Sequence, residues 1–163
     1  MLFPYKDDNP RVLYPYVTFG IIYFSLFVFL YQLFLNSTKA LLATKLVFTF
    51  GFTPEKFNII SIFTSMFLHG GFGHFIGNMW FLYIFGDNVE SILGHVKFLA
   101  FYLSSGVFAA LGQYIINPNS EVPMIGASGA IAGILGAYLI SSPKAKVHVL
   151  SLIHISEPTR RYS

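Results

Sequence analysis

Long apolar runs alternate with short polar segments along this chain, and the lengths of the runs give the first structural signal. Residues 14–35 are almost entirely aliphatic or aromatic, and about twenty such residues cross the hydrocarbon core of a bilayer. The runs over residues 73–93 and 97–116 are similar in length, and a fourth helix is predicted from Ser128 to Pro143. The pattern therefore predicts four transmembrane helices, so the expected fold class is all-α, a polytopic transmembrane bundle.

The segments between these helices are predicted to be loops. In residues 36–72, lysines interrupt apolar pieces that are each too short to cross a membrane, so we predict a long loop lying at the interface. Residues 117–126 contain an Asn-Pro and a Val-Pro step, and both steps disfavour helix. A turn-rich loop is therefore expected before the fourth helix.

The composition supports a membrane protein and excludes several other classes. Hydrophobic residues make up 55% of the chain and charged residues 10%, a balance that a water-soluble core of this size does not bury. Cysteine is absent and no His-Glu-x-x-His spacing occurs, so we expect neither a metal nor a cofactor. The net charge of +3 comes from scattered residues, which gives no basis for binding nucleic acid.

The basic residues predict the orientation in the membrane. Lys144 and Lys146 follow the fourth helix, whereas the loop before it contains Glu121 and neither Lys nor Arg. By the positive-inside rule, the end of the fourth helix lies in the cytoplasm. Four crossings then place the N-terminus, with Lys6 and Arg11, in the cytoplasm as well. The lysines of the first loop point the other way, but long loops contribute little to orientation.

A serine stands at the start of the fourth helix, flanked by Gly126 and Gly129. Ser128 also begins a stripe of small residues with Ala132 and Gly136, and such stripes let transmembrane helices pack closely. At a helix N-terminus, however, free backbone N–H groups and the positive end of the dipole stabilise negative charge. An acyl-transfer oxyanion requires this environment. Ser128 is therefore either a packing residue or a nucleophile.

His74 and Asn78 form a second candidate set on the second helix. They are four residues apart, so they lie on one helix face, about 6 Å apart along the axis. Polar side chains inside a bilayer are unfavourable unless they are paired or hydrated. The pair either ties this helix to a neighbour by hydrogen bonding or shares a water-accessible cavity with Ser128.

Residues 67–95 and 117–139 together resemble the rhomboid family of intramembrane serine proteases, bacterial type. The family signature is His-x-x-x-Asn on helix 2 and Gly-x-Ser-Gly at the start of helix 4. His74 with Asn78 and the sequence Gly-Ala-Ser-Gly at 126–129 match it. The resemblance implies a six-helix serine endopeptidase in the bacterial inner membrane that cleaves transmembrane segments of other membrane proteins.

The resemblance also implies roles for these residues. Ser128 would be the nucleophile, and His74 and Asn78 would stabilise the oxyanion together with the backbone N–H of Ser128. The family takes its general base from a dyad histidine in a Gly-x-x-x-His pattern on helix 6. His148 lies about 30 Å from Ser128 if helix 4 continues, and His154 has no glycine four residues before it.

The dyad histidine is therefore expected to be absent, and this chain is expected to contain four of the six core helices and to cleave nothing. The alternative function is a non-catalytic rhomboid-like membrane protein that binds membrane clients. Residues 150–160, LSLIHISEPTR, resemble the translation of a transposon end used in preparing sequencing libraries. We therefore divide the chain into a partial rhomboid membrane domain, residues 1–149, and a non-native tail, residues 150–163.

The remaining polar residues have structural interpretations. His69 is predicted to organise the loop before helix 2, and His95 is predicted to be an interfacial residue. Asp87 and Glu90, at the cytoplasmic end of helix 2, are expected to tie that end toward helix 3. Ala132 stands where some family members carry a tyrosine that packs under the dyad histidine.

Overall fold

The computed structural model describes residues 2–7, 13–143, 145 and 147–151, and within them the chain is a helical bundle. The described helices are α1 (Tyr16–Thr38), α2 (Ala40–Phe50), α3 (Ile59–Thr64), α4 (Phe72–Leu93), α5 (His95–Ile116) and α6 (Ser128–Ser141). Short 3₁₀ turns cover Pro54–Lys56 and Ser65–Phe67, and two strands, β1 (Leu2–Asp7) and β2 (Val147–Ser151), pair antiparallel. The all-α membrane class is confirmed.

The four predicted helices are present as α1, α4, α5 and α6, but they differ in their capacity to cross a membrane. Among the described residues, α1 and α5 are each long and apolar enough to cross a membrane. Helix α4 meets the same requirement of length and hydropathy only when it is joined to the preceding segment 59–67, and a 90° bend separates the two. Helix α6 has 14 residues. At 1.5 Å per residue it is about 21 Å long, shorter than a hydrocarbon core of about 30 Å. The prediction of a fourth full span is therefore not supported by the described length of α6.

Helix α1 has an inward stripe and an outward aromatic surface. Its buried residues Thr18, Ile21, Ser25 and Phe29 recur every three or four positions, so they lie on one face. Aromatic side chains cover much of the remaining surface, including the exposed residues Tyr23, Phe24, Phe27, Tyr31 and Phe34. The inward face packs against α4, and the outward face is suited to contact with lipid.

Helices α5 and α6 approach closely because α6 presents glycines to α5. A Cβ atom on Gly129 would overlap the side chain of Ala109, and one on Gly133 would overlap the side chain of Ser105. Gly136 differs, because a Cβ there would meet nothing within 4 Å. The GxxxG pair formed by Gly129 and Gly133 is thus used for helix packing.

The prediction that residues 36–72 form a long loop is wrong. The segment contains α2, α3 and two 3₁₀ turns, because apolar pieces too short to cross a membrane can still form short helices that pack. Phe52 exchanges two backbone hydrogen bonds with Met124, at 3.0 and 2.7 Å, and the backbone N–H of Glu55 donates to Ser120. The segment therefore supports the loop that precedes α6.

Glu90, at the end of α4, binds the beginning of α1. Its fully buried carboxylate accepts hydrogen bonds from the backbone N–H groups of Val17 (2.9 Å) and Thr18 (2.8 Å) and from the hydroxyl of Thr18 (2.7 Å). A carboxylate is stabilised there by the free N–H groups and the positive dipole end of α1. Its other partner is His95 Nδ1, at 2.5 Å.

Two expectations change as a result. Glu90 ties α4 mainly to α1, and its contact with the start of α5 is made by His95, which is therefore more than an interfacial residue. Asp87 is buried and accepts a hydrogen bond of 2.9 Å from the side chain of Asn88. The Glu90 carboxylate thus lies beside donors from the ends of other helices, at the starts of α1 and α5.

The two strands place both ends of the bundle on one side. Strand β1 precedes α1, strand β2 follows α6, and the two pair directly, with Lys6 opposite His148. Leu150 and Ser151 belong to β2, whereas residues 152–163 of the predicted non-native tail, including His154, lie outside the described residues.

Candidate active site

The three residues predicted for catalysis line one groove between α4 and α6. Ser128, His74 and Asn78 face a volume of about 360 Å³. The other lining residues are glycines of α4 and apolar side chains of both helices, namely Gly73, Gly77, Phe81, Ile131, Ala132 and Leu135. The fold thus brings together residues that are 50 positions or more apart in the sequence.

Ser128 is the first residue of α6, and its side chain is exposed in the groove. The residue before it, Ala127, is buried and already has helical dihedrals, so the helix begins directly at the serine. The first N–H groups of α6 have no partner inside the helix. Ala132, one turn later, lines the groove as well. Ser128 and Ala132 therefore face the groove, while the neighbouring Gly129 and Gly133 pack on α5.

Gly126 brings the backbone before the nucleophile against the side chains of α4. Its φ of +114° lies in the region that favours glycine, and its N–H donates to the carbonyl of Ser65 at 2.8 Å. A Cβ atom on this residue would lie 2.5 Å from both Cε1 and Nε2 of His74 and 3.6 Å from Nδ2 of Asn78. The close approach requires glycine, and it places His74 and Asn78 beside the turn that leads to Ser128.

Asn78 carries a donor without an acceptor among the described residues. The side chain is buried, and its Nδ2 has no hydrogen-bond partner. An unsatisfied buried donor costs about 1 to 3 kcal/mol of stability. This observation argues against the alternative that Asn78 ties α4 to a neighbouring helix through that donor, and it leaves an N–H group available to a ligand in the groove.

His69 and His74 are neighbours with different surroundings. Their ring centroids are 5.4 Å apart, and His69 is buried whereas His74 is exposed in the groove. His74 Nδ1 accepts a hydrogen bond from the backbone N–H of Gly70 at 3.4 Å. His69 is held through its backbone by the side chain of Gln32, in keeping with the predicted structural role. Gln32 was not among the predicted site residues, although it is a polar residue within the first apolar run.

A smaller cavity of about 110 Å³ lies on the other side of Ser128. It is lined by small and flexible side chains, namely Ser65, Met66, Gly106, Ala109, Met124, Gly126, Gly129 and Ala130 in addition to the serine. Ser128 is therefore accessible from two sides, an open groove and a narrow cavity.

The other described histidines do not line the groove of Ser128. His95 pairs with Glu90, which lies toward the opposite end of α4, about 24 Å along the helix from His74. His148 lies in β2, beyond the C-terminal end of α6. Within the described ranges, no group of three or more His, Asp or Glu side chains is arranged to hold a metal ion.

Comparison with known proteins identifies similar sequences. The family model described as "Rhomboid domain" matches residues 56–158. A Bacillus subtilis (strain 168) protein named "Putative rhomboid protease YdcA" is 38% identical over 78 residues, which are 48% of this chain and 39% of that protein. No solved structure matches.

Two further relatives come from eukaryotes. Presenilin-associated rhomboid-like protein A, mitochondrial, of Danio rerio is 34% identical over 104 residues, 63% of this chain and 27% of that protein. RHOMBOID-like protein 5 of Arabidopsis thaliana is 36% identical over 85 residues, 52% of this chain and 26% of that protein. The chain thus spans about a quarter to two fifths of the length of these relatives.

Proposed function

This chain belongs to the rhomboid family, and from that premise we propose that it supplies the nucleophile and the oxyanion donors of an intramembrane serine endopeptidase. The observation that carries the proposal is the shared groove of Ser128, His74 and Asn78, with Gly126 packed against both donors. The substrate class is the transmembrane segment of another membrane protein, because the site lies in a bundle of apolar helices.

The chemistry follows from the donors and the nucleophile. Ser128 Oγ attacks the carbonyl carbon of a peptide bond, and the carbonyl oxygen gains negative charge as the tetrahedral intermediate forms. Asn78 Nδ2, His74 Nε2 and the N–H of Ser128 stabilise this charge, an effect that is strongest where water is scarce. A substrate helix must unwind locally to expose its peptide bond, and the groove offers hydrogen bonds that lipid does not.

The reaction also needs a general base, because a neutral serine is a weak nucleophile. His74 is the histidine that lines the groove within the described residues, and it serves as a donor. We assign the base to a histidine in a region of the full-length parent protein beyond Val149, on an apolar helix with Gly-x-x-x-His spacing. The base takes the serine proton during attack and returns it to the leaving amine.

The orientation follows from the charges. The N-terminus lies in the cytoplasm and the start of α6 faces the outer side, so cleavage occurs near the outer face of the membrane. We place the protein in the bacterial inner membrane. Relatives from Bacillus subtilis, Danio rerio and Arabidopsis thaliana show that similar proteins occur in bacteria and in eukaryotes.

A second candidate function is a rhomboid-like protein that binds membrane clients without cleaving them. It is favoured for this chain by the absence, among the described residues, of a second histidine lining the groove. In that case the groove would bind a client's unwound backbone through Asn78 and His74, and Ser128 would not attack the peptide bond.

Labelling with a fluorophosphonate probe separates the two functions. The full-length parent is expected to be labelled, the variant Ser128→Ala of the parent is expected to be unlabelled, and the 163-residue chain alone is expected to cleave nothing. Equal labelling of the parent and its Ser128→Ala variant would remove the serine from its proposed role. A downstream reading frame without Gly-x-x-x-His in an apolar span would refute the protease proposal and favour the client binder.

A further inference from the structure

We propose that Gln32 on α1 is a positioning residue for the oxyanion donor His74 and acts through the peptide group between His69 and Gly70. The proposal rests on the proposed function, because it concerns the same site. Gln32 is not among the residues that line the groove of Ser128. It therefore acts on the reaction through other groups.

The first step is a pair of hydrogen bonds from one side chain to one residue. Oε1 of Gln32 accepts from the backbone N–H of His69 at 3.0 Å, and Nε2 donates to the backbone carbonyl of His69 at 3.2 Å. His69 lies in the 90° bend between the Ser65–Phe67 turn and α4. Because a planar amide makes both bonds, Gln32 fixes the backbone of the bend as well as its distance from α1.

The second step follows from the planarity of the peptide bond. The carbonyl of His69 and the N–H of Gly70 belong to one trans peptide group, so they point in opposite directions. With the carbonyl held by Gln32, the N–H points to the other side, where it donates to Nδ1 of His74 at 3.4 Å. A hydrogen bond at the carbonyl end also strengthens the donor at the N–H end, because linked hydrogen bonds polarise one another.

The third step is the choice of histidine tautomer. A neutral imidazole whose Nδ1 accepts a hydrogen bond carries its proton on Nε2. Nε2 lies against Gly126 together with Cε1, both 2.5 Å from the Cβ position of that residue, whereas Nδ1 is turned toward Gly70. Without Gln32, the peptide group can rotate and His74 can adopt the other tautomer, whose Nε2 has no proton to donate to an oxyanion.

The tautomer can be measured on the 163-residue chain, and the measurement needs no enzymatic activity. Histidine labelled with ¹⁵N reports by NMR in micelles which ring nitrogen is protonated, and the spectrum of His74→Gln assigns the signals. At a pH where His74 is neutral, we expect Nε2 to carry the proton in the wild type. Gln32→Ala should lower the tautomer ratio about fivefold, the factor that one ordinary hydrogen bond contributes.

Two further variants separate positioning from a general structural tie. Asn36→Ala is the matched control, because Asn36 lies one turn further along α1 and lines the same cavity of about 500 Å³ as Gln32. It should keep the wild-type ratio, and a shift equal to that of Gln32→Ala would overturn the proposal. Gln32→Glu keeps an acceptor for the His69 N–H but, when ionised, has no donor for the carbonyl. It should shift the tautomer ratio even if Gln32→Ala does not fold, and a wild-type ratio in Gln32→Glu would overturn the proposal.

Labelling of the full-length parent distinguishes failure of this inference from failure of the proposed function. Gln32→Ala should slow fluorophosphonate labelling by the same factor by which NMR shows the Nε2-protonated fraction of His74 to fall, a factor smaller than the change in the tautomer ratio. If labelling depends on Ser128 but the tautomer is unchanged in both Gln32 variants, the inference fails and the protease proposal stands. If the tautomer shifts but labelling does not depend on Ser128, the positioning of His74 by Gln32 stands and the protease proposal fails.

Discussion

Replacement of Gly126 by alanine tests the contact on which the proposed oxyanion site depends. The new Cβ would lie 2.5 Å from Cε1 and Nε2 of His74, whereas non-bonded heavy atoms are in favourable contact at about 3.5 to 4.0 Å. The ring must therefore move by about 1 Å, and a misplacement of that size can lower the rate of catalysis about 10²-fold. The φ of +114° adds about 1 to 3 kcal/mol of backbone strain for alanine.

The assay is the rate of fluorophosphonate labelling of the full-length parent, measured beside the free energy of unfolding in mixed micelles. Gly126→Ala should label about 10²-fold more slowly and be less stable by the strain energy. Gly112→Ala is the matched control, because a Cβ there meets nothing within 4 Å and its φ is not in the left-handed region. Labelling of Gly126→Ala within about twofold of Gly112→Ala would refute the idea that this contact sets the position of His74 for catalysis.

Three other substitutions test the packing and the site. Gly133→Ala should lower the free energy of unfolding in mixed micelles by about 1 to 3 kcal/mol, because its Cβ overlaps α5. Gly136→Ala, whose Cβ meets nothing within 4 Å, should be neutral or stabilising, and equal effects of the two substitutions would contradict the assigned helix interface. Glu90→Gln should lower the free energy of unfolding by about 3 kcal/mol through loss of the buried charged cap of α1. Glu55→Gln, at an exposed position, should change it by no more than about 0.5 kcal/mol, and an equal loss of stability in both variants would refute the capping role of Glu90. Asn78→Leu should abolish labelling of the parent while the free energy of unfolding is unchanged or raised by about 1 kcal/mol, and a large loss of stability would mean that the amide has a structural partner.

The positions of the four predicted helices could be derived from the chain alone. Their apolar runs differ sharply from the polar segments around them, and the structure places α1, α4, α5 and α6 within a few residues of the predicted bounds. The same reasoning failed for residues 36–72, because pieces too short to cross a membrane carry no periodic signal that separates a loop from short packed helices. The assignment of residues 150–163 to a non-native tail stays a prediction.

The candidate site also contains residues that could be predicted from the sequence and residues that could not. His74 and Asn78 were found from their spacing of four on one helix, and Ser128 from its glycine-flanked position at a helix start. Gln32 and the Gly70 N–H could not be found, because their partners lie far away in the sequence or in the backbone of a bend. A glutamine in an apolar run signals a polar contact without naming the partner.

The membrane environment, the positions of the four predicted helices, the family signature and the residue types of the site could all be derived from the amino-acid sequence, because they depend on composition and on spacing within single segments. The tertiary structure alone decided that Ser128 and His74 share a groove, that Gly126 packs against that histidine, and that Glu90 caps α1. The physical reason is that local patterns describe one helix at a time. The angle and register at which helices meet arise from close packing across the bundle, and those contacts join residues that are distant along the chain.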